Sequence, residues 1–112
     1  MTLQELISQL NLIVITTPRD FNGIMPHGGY TADLLSCVMA GAQPGNIWVT
    51  VQAHMNVVAV AALREVSAVI ITENAQPEKD VVEKANQQGV ILLSTTEPSY
   101  QTTGKLWELG IW

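Results

Sequence analysis

The sequence predicts an α/β fold in which helices alternate with the strands of a mostly parallel sheet. Short continuous apolar runs recur at residues 12–15, 47–51, 68–71 and 90–93. Runs of this kind are typical of strands that are buried on both faces of a parallel sheet. Segments with helical periodicity or helix-capping residues separate them, and such alternation predicts a sheet with helices packed in two or three layers.

Two helices have clear end signals. Thr2 and Glu5 have the spacing of a capping box, and the apolar residues that follow share one helical face, which predicts a helix over residues 3–10. Pro77 and Gly89 stand where the first helical position and the residue after the last turn are expected, and they predict a solvated helix between them.

Three further helices are predicted from apolar spacing. One covers residues 31–42 with Thr31 as its N-cap, and another covers residues 57–64 with Asn56 as its N-cap. Because residues 57–64 are apolar all round, we expect this helix to be buried on all sides, against the sheet and against a partner chain. A last helix is expected over residues 99–109. The loop at residues 17–29 is long for a compact domain, and a weak signal indicates a short strand at residues 23–25.

Composition narrows the class of protein. A chain of 112 residues with 47% hydrophobic residues is expected to form one domain. The net charge of −5, with scattered basic residues, disfavours binding to nucleic acid or to anionic membranes. No apolar run approaches the roughly 20 residues of a membrane helix. The single cysteine, Cys37, is expected in the core, and without a signal-peptide pattern the chain is expected to be cytoplasmic.

Charged residues are distributed unevenly. Residues 21–72 contain only Asp33, Arg64 and Glu65, whereas the other twelve charged residues lie outside this segment. A small monomer covers most of its elements with polar side chains. The shortage of charge therefore predicts that a second copy covers part of this half, and that the protein is a homodimer.

Polar residues cluster where the predicted strands end, which is where ligands bind in open parallel sheets. The second strand is followed by Thr50, Gln52, His54 and Asn56, and in an extended chain all four point the same way. Their amide, hydroxyl and imidazole groups are suited to a nucleobase, a carboxylate or a carbonyl. The alternative is a buried polar network that fixes a loop or a subunit contact.

A glycine pair supplies the other candidate site. Gly28 and Gly29 precede the helix predicted from Thr31, so its free N–H groups and dipole would favour an anion or a phosphate. The alternative is a turn that requires positive φ. The pair matches neither a dinucleotide-binding fingerprint nor a P-loop. We expect both ends of this helix–strand unit to lie at one edge of the sheet, in a common crevice.

Other chemistries are poorly supported. His27, His54 and Cys37 lack the close spacing of metal ligands, so no metal site is expected. No pattern identifies a cofactor or a catalytic nucleophile. An enzyme with His54 as general base would need a carboxylate partner. The candidates for that partner are Asp20, Asp33 and Glu73.

The chain also resembles a known family. The run GGYTADLLSCVMA, the following IWVTVQAHMNVVAVA and the later QPEKDVVEKANQQGVILLSTTEPSY resemble stand-alone members of the DRTGG domain family. The letters DRTGG do not occur; only Arg19-Asp20 and Gly28-Gly29 resemble them. The resemblance implies a mostly parallel α/β fold similar to the amino-terminal domain of HPr kinase. It also implies a homodimer and a regulatory, ligand-sensing role without established catalysis.

The leading prediction is a non-catalytic module that binds a small anionic or nucleotide-like ligand. The expected ligand-binding residues are Gly28, Gly29, Thr31, Thr50, Gln52, His54 and Asn56. An assembly scaffold without a ligand and a small enzyme that uses His54 are the alternatives.

Overall fold

A five-stranded sheet forms the centre of the computed structural model, which describes residues 1–112. The strands lie in the order β1-β5-β4-β3-β2. They are β1 (Ile13–Val14), β2 (Gly29–Thr31), β3 (Ile47–Thr50), β4 (Ala68–Ile71) and β5 (Leu92–Ser94). Strands β2 to β5 are parallel and β1 is antiparallel to β5, so the predicted mostly parallel α/β fold is confirmed.

Helices cover both faces of the sheet, which makes three layers. They are α1 (Leu3–Leu10), α2 (Leu35–Gly41), α3 (Met55–Arg64), α4 (Lys79–Gln88) and α5 (Ser99–Glu108), with one 3-10 turn at Phe21–Gly23. One core joins α1 and α5 to the sheet, and the other joins α2, α3 and α4 to its opposite face. No helix combines the length and the apolar character that crossing a lipid bilayer requires.

The predicted capping box is present at the start of α1. The Thr2 hydroxyl accepts the Glu5 N–H at 3.1 Å, and the Thr2 N–H donates to Glu5 Oε1 at 2.9 Å. The helix ends at Asn11, which is left-handed with φ 52. These local signals place α1 as expected because each satisfies a backbone group that the helix leaves unpaired.

The prediction for the first strand is wrong in direction and burial. β1 is an edge strand, antiparallel to β5, and Ile13 is 62% exposed. Its β-branched run indicates a strand but carries no information on direction. Asn11, which is left-handed, ends α1, and the chain then enters the sheet in the direction opposite to the other four strands.

The prediction of a helix over residues 31–42 is also wrong at its start. Gly29–Thr31 is a strand paired with β3, so Thr31 is not an N-cap, and α2 begins four residues later. The short strand weakly indicated at residues 23–25 does not form. Tyr30 packs against α2 so closely that a Cβ on Gly41 would lie 2.5 Å from the Tyr30 ring. Pairing with β3 and packing against α2 thus make residues 29–31 a strand, although their local preference for strand is weak.

Helix α3 begins earlier than predicted, and within the single chain its outer face is exposed. Its N-cap is His54, whose Nδ1 accepts the Asn56 N–H at 3.3 Å, so Asn56 is not the cap. The outer face of α3 exposes Met55, Ala59 and Leu63, and Leu63 is 68% exposed. Cys37 on the neighbouring α2 is exposed as well, which corrects its expected place in the core.

Candidate functional site

The predicted glycine pair lies at the opposite end of the strands from the residues that follow β3, whereas Thr31 pairs with Val49 near the carboxyl end. Gly29 pairs with Ile47 at the start of β3, whereas Thr50 ends that strand. At about 3.3 Å per residue, these ends are about 10 Å apart. The expected common crevice for Gly28, Gly29 and the residues that follow β3 is therefore wrong.

The glycine pair does not open a helix, so it presents no helix-terminal N–H groups. Gly28 has φ 68, and a Cβ there would lie 2.7 Å from Asn46 Nδ2. Its carbonyl accepts the Ile47 N–H at 3.0 Å. The pair thus forms the turn with positive φ that was the alternative interpretation, and it starts an edge strand.

The hydroxyl of Thr50 is already engaged inside the protein. Thr50 is fully buried, and its Oγ1 donates to Asp33 Oδ1 at 2.9 Å. The Val51 N–H donates to the same carboxylate oxygen at 2.8 Å, and Thr50 Oγ1 accepts the Gln52 N–H at 3.1 Å. This network ties the segment after β2 to the end of β3, and it leaves Thr50 no free group for a ligand.

A second network joins the segments after β4 and β5. Thr72 Oγ1 and Ser99 Oγ are 2.7 Å apart, so the end of β4 is tied to the start of α5. Glu73 and Asn74 both have positive φ, and the Asn74 N–H donates to the Thr95 carbonyl at 3.0 Å. The hydroxyls at this edge therefore close loops and are not directed at a crevice.

Gln52, His54 and Asn56 keep hydrogen-bonding groups directed at solvent. The extended row predicted for them ends at Thr50, and α3 begins at Met55, so they surround the start of that helix. The Gln52 side chain has no partner in the protein, and because no buried polar side-chain atom is unpaired, its amide faces solvent. These three are the residues of the predicted row that a ligand can reach.

His54 lines a cavity of about 420 Å³ between the start of α3 and the start of α4. The opposite wall contains Gln76, Glu78 and Asp80. The electrostatics of the cavity are mixed, since the positive end of the α3 dipole meets two carboxylates. No three histidine, cysteine, aspartate or glutamate side chains lie close enough together to hold a metal ion.

The carboxylates considered as partners for His54 are engaged elsewhere or not bonded to it. Asp20 Oδ1 accepts the Asn22 N–H at 3.1 Å and caps the 3-10 turn, while Asp33 holds Thr50. The only side-chain hydrogen bond of His54 is the one that caps α3. The structure thus forms no histidine–carboxylate pair at this edge.

A groove between β2 and α5 was not predicted from the sequence. It has a volume of about 740 Å³ and is lined by Thr31, Tyr100, Thr103 and Trp107, among others. Thr31 Oγ1 and Thr103 Oγ1 are 2.8 Å apart, which ties the strand to the helix. The spacing of Tyr100, Thr103 and Trp107 along the sequence places the three side chains on one helical face, which is the only signal of this groove in the sequence.

Comparison with known proteins identifies the fold. A model of the DRTGG domain matches residues 32–109, which confirms the resemblance noted in the sequence. A similar solved structure is the crystal structure of the CBS and DRTGG domains of the regulatory region of Clostridium perfringens pyrophosphatase, complexed with its activator, diadenosine tetraphosphate. The TM-score is 0.74 at 16% identity, and the match covers 92% of this chain and 44% of that one. This likeness concerns the fold, and the chain spans less than half of that protein region. No curated protein matches the sequence.

Proposed function

This chain belongs to the DRTGG domain family, and we propose that it is a non-catalytic regulatory module that binds a nucleotide-like ligand and acts as a homodimer. The observation that carries the proposal is the shared fold with a regulatory region that was crystallised with a dinucleotide activator. The proposed site is the carboxyl edge of the sheet, at Gln52, His54 and Asn56.

Those three side chains suit a nucleobase. An amide such as that of Gln52 or Asn56 offers a donor and an acceptor that match adjacent groups on the edge of adenine. The imidazole of His54 can donate from Nε2, because its Nδ1 accepts the Asn56 N–H and the ring proton is therefore on Nε2. The Asn56 and Val57 N–H groups at the start of the ten-residue α3 are bonded to His54, and the positive end of the helix dipole favours an anion there.

The acidic wall of the cavity suggests an orientation for the ligand. Glu78 and Asp80 repel phosphate, but carboxylates accept hydrogen bonds from ribose hydroxyls, as in dinucleotide-binding folds. We therefore place the ribose toward α4 and the phosphates toward the start of α3. Gly28 and Gly29 are not part of the proposed site, because they lie at the amino end of the strands.

The apolar outer face of α3 supports the proposed homodimer. Met55, Ala59 and Leu63 lie at intervals of four residues and line a groove of about 500 Å³, whose α4 side contains Lys84 and Gln88. Exposed apolar stripes of this kind mark association surfaces. The same stripe favours the second candidate function, an assembly scaffold with no ligand.

Thermal-shift measurements with adenosine mono-, di- and triphosphate and diadenosine tetraphosphate test the proposal. We expect at least one of them to raise the melting temperature of the wild-type chain. The pair His54→Ala with Asn56→Ala removes that increase, while Asn22→Ala with Gln87→Ala, two exposed amides elsewhere, keeps it. Because His54→Ala also removes a helix cap at a cost of about 1 kcal/mol, the readout is the ligand-induced increase for each variant. No increase in the wild type with any of them would leave only the scaffold.

A further inference from the structure

The outer edge of the sheet at β2 has unpaired backbone groups. Ile47 donates to the Gly28 carbonyl, and the Ala32 N–H donates to Val49, so even-numbered residues of this segment face β3. Because direction alternates along a strand, Gly29 and Thr31 point their N–H and C=O groups away from the sheet. No strand lies beyond β2.

Helix α5 forms a wall beside this open edge. Thr103 contacts Thr31 through their hydroxyls, and the Trp112 carbonyl lies 3.3 Å from the position that a Cβ on Gly28 would occupy. These two contacts show that α5 and the residues after it run antiparallel to β2. The groove of about 740 Å³ lies along this wall and is lined by Thr31 of β2 and by residues of α5.

The wall exposes aromatic side chains along the groove. Tyr100 is 88% exposed and Trp107 is 65% exposed, and both line the groove. Trp112 is 75% exposed, and its ring lies 6.0 Å from that of Trp107. Exposed aromatic residues in a cluster are enriched at protein-binding surfaces.

The open edge lacks the features that usually protect an edge strand. Natural proteins guard such edges with charges, prolines, bulges or a covering segment. Residues 28–31 contain no charge and no proline. Gly29 has no side chain that could cover the open edge, although a Cβ at this position would meet only the Ile47 carbonyl of β3, at 3.4 Å.

We propose that this groove binds an extended peptide of a partner protein, which adds a strand to β2 and packs its side chains on Tyr100 and Trp107. An edge strand beside a helix supplies both requirements of strand addition, since the backbone groups give affinity and the wall gives specificity. This binding is independent of the ligand proposed at the start of α3, because the groove lies between β2 and α5.

The charges of the groove define the chemistry of the peptide. Lys105 is neutralised by Glu97, whose two carboxylate oxygens both lie 2.7 Å from its Nζ. Glu108 also lines the groove and has no ion pair, in a chain of net charge −5. We therefore expect the peptide to carry an arginine near Glu108, where it also meets the face of Trp107.

The length of the groove favours a flexible peptide over a second copy of this chain. From Tyr100 to Trp107, α5 rises about 10 Å, and Trp112 extends the wall further. A second copy pairing through its own β2 would follow the groove over three residues only. An extended peptide can follow it along its whole length.

A display library of random eight-residue peptides tests the proposal on the full chain. Binders are selected on the wild type and resynthesised, and their affinities are measured by fluorescence anisotropy. Thr31→Pro removes an outward N–H that the fold does not use, and Thr31→Val retains that N–H while losing the same hydroxyl contact. We expect binders with alternating apolar residues and an arginine, about tenfold weaker on Thr31→Pro than on Thr31→Val.

Amide hydrogen exchange provides the second readout. We expect the bound peptide to slow exchange at Gly29 and Thr31, and Trp107→Ala to weaken binding while circular dichroism shows the fold unchanged. The double variant His54→Ala with Asn56→Ala binds the peptide normally, so failure here is distinct from failure of the nucleotide site. The proposal is overturned by a library that yields no binders, or by binders that ignore Thr31→Pro and leave both amides unprotected. It is also overturned if Thr31→Pro breaks a dimer and no peptide competes, which would assign the edge to a second copy.

Discussion

Asp33 and Thr50 are joined by a hydrogen bond of 2.9 Å between the carboxylate and the hydroxyl. The same Asp33 oxygen accepts the Val51 N–H at 2.8 Å. Asp33 is the only charged residue between residues 28 and 56. Its carboxylate ties the segment after β2 to the end of β3. Hydrogen bonds to a charged acceptor are stronger than neutral ones, which makes this contact a measurable part of the stability.

We expect Asp33→Ala to lower the free energy of unfolding by about 1–3 kcal/mol, because a buried hydroxyl and a backbone N–H lose their acceptor. Asp33→Asn is the control, since its carbonyl oxygen still accepts both bonds, and it is expected to lose less. Urea unfolding measures both variants. A loss below about 0.5 kcal/mol for Asp33→Ala would mean that water replaces the carboxylate without cost.

Two helical glycines form a matched pair with opposite predictions. A Cβ on Gly41 would lie 2.5 Å from the Tyr30 ring, whereas a Cβ on Gly104 would meet nothing within 4 Å. We expect Gly41→Ala to cost about 1–3 kcal/mol through overpacking. Gly104→Ala is expected to add about 1 kcal/mol through higher helix propensity. Thermal unfolding of the two variants checks the signs, and a neutral Gly41→Ala would show that Tyr30 moves freely.

The capping box predicts a pH dependence of stability. The backbone N–H of Thr2, and then its side chain, hold the pKa of Glu5 below its ordinary value. A carboxyl whose pKa is lower in the folded state contributes stability above its unfolded pKa, and that stability is lost as pH falls through the folded pKa. Glu5→Gln does not titrate, so the advantage of the wild type over this variant is expected to shrink between neutral pH and about pH 2. Urea midpoints across that range measure it, and a constant difference would refute the link.

The proposed homodimer gives a prediction on the outer face of α3. Leu63→Asp places a charge in the apolar stripe. It is expected to raise the dimer dissociation constant at least tenfold, which corresponds to a loss of about 1.4 kcal/mol in binding free energy. Ile13→Asp, on the equally exposed β1 edge, is the control and is expected to leave dissociation unchanged. Sedimentation velocity over a dilution series distinguishes them. A monomeric wild type at all concentrations would rule out the homodimer.

Much of the fold followed from local signals that the structure retains. The capping box at Thr2, the strands β3 to β5 and the helix before Gly89 all lie close to their predicted positions. These elements are set by short-range chemistry or by continuous apolar runs. The strand β2 was missed because two glycines lower its intrinsic preference, and it becomes a strand only by pairing with β3.

The predicted site was only partly brought together for a related reason. Because residues 29–31 form β2 and not the start of a helix, Gly28 lies at the amino end of the strands, away from His54. The prediction that the polar row points one way required an extended chain through Asn56. Instead, α3 starts at Met55 because His54 supplies its cap. Asp33 is the one charged residue in an otherwise uncharged segment, and this was the available signal that its carboxylate accepts hydrogen bonds inside the protein. Nothing local could reveal that α5 leaves Trp107 exposed beside an open strand.

The most direct test of the proposed ligand site is a two-dimensional NMR titration of the wild-type chain with diadenosine tetraphosphate. We expect saturable shifts at the side-chain amides of Gln52 and Asn56, at the His54 imidazole and at the first amides of α3, with the β2 edge unaffected. An absence of shifts at millimolar ligand, or shifts confined to residues away from the carboxyl edge of the sheet, would contradict the proposal.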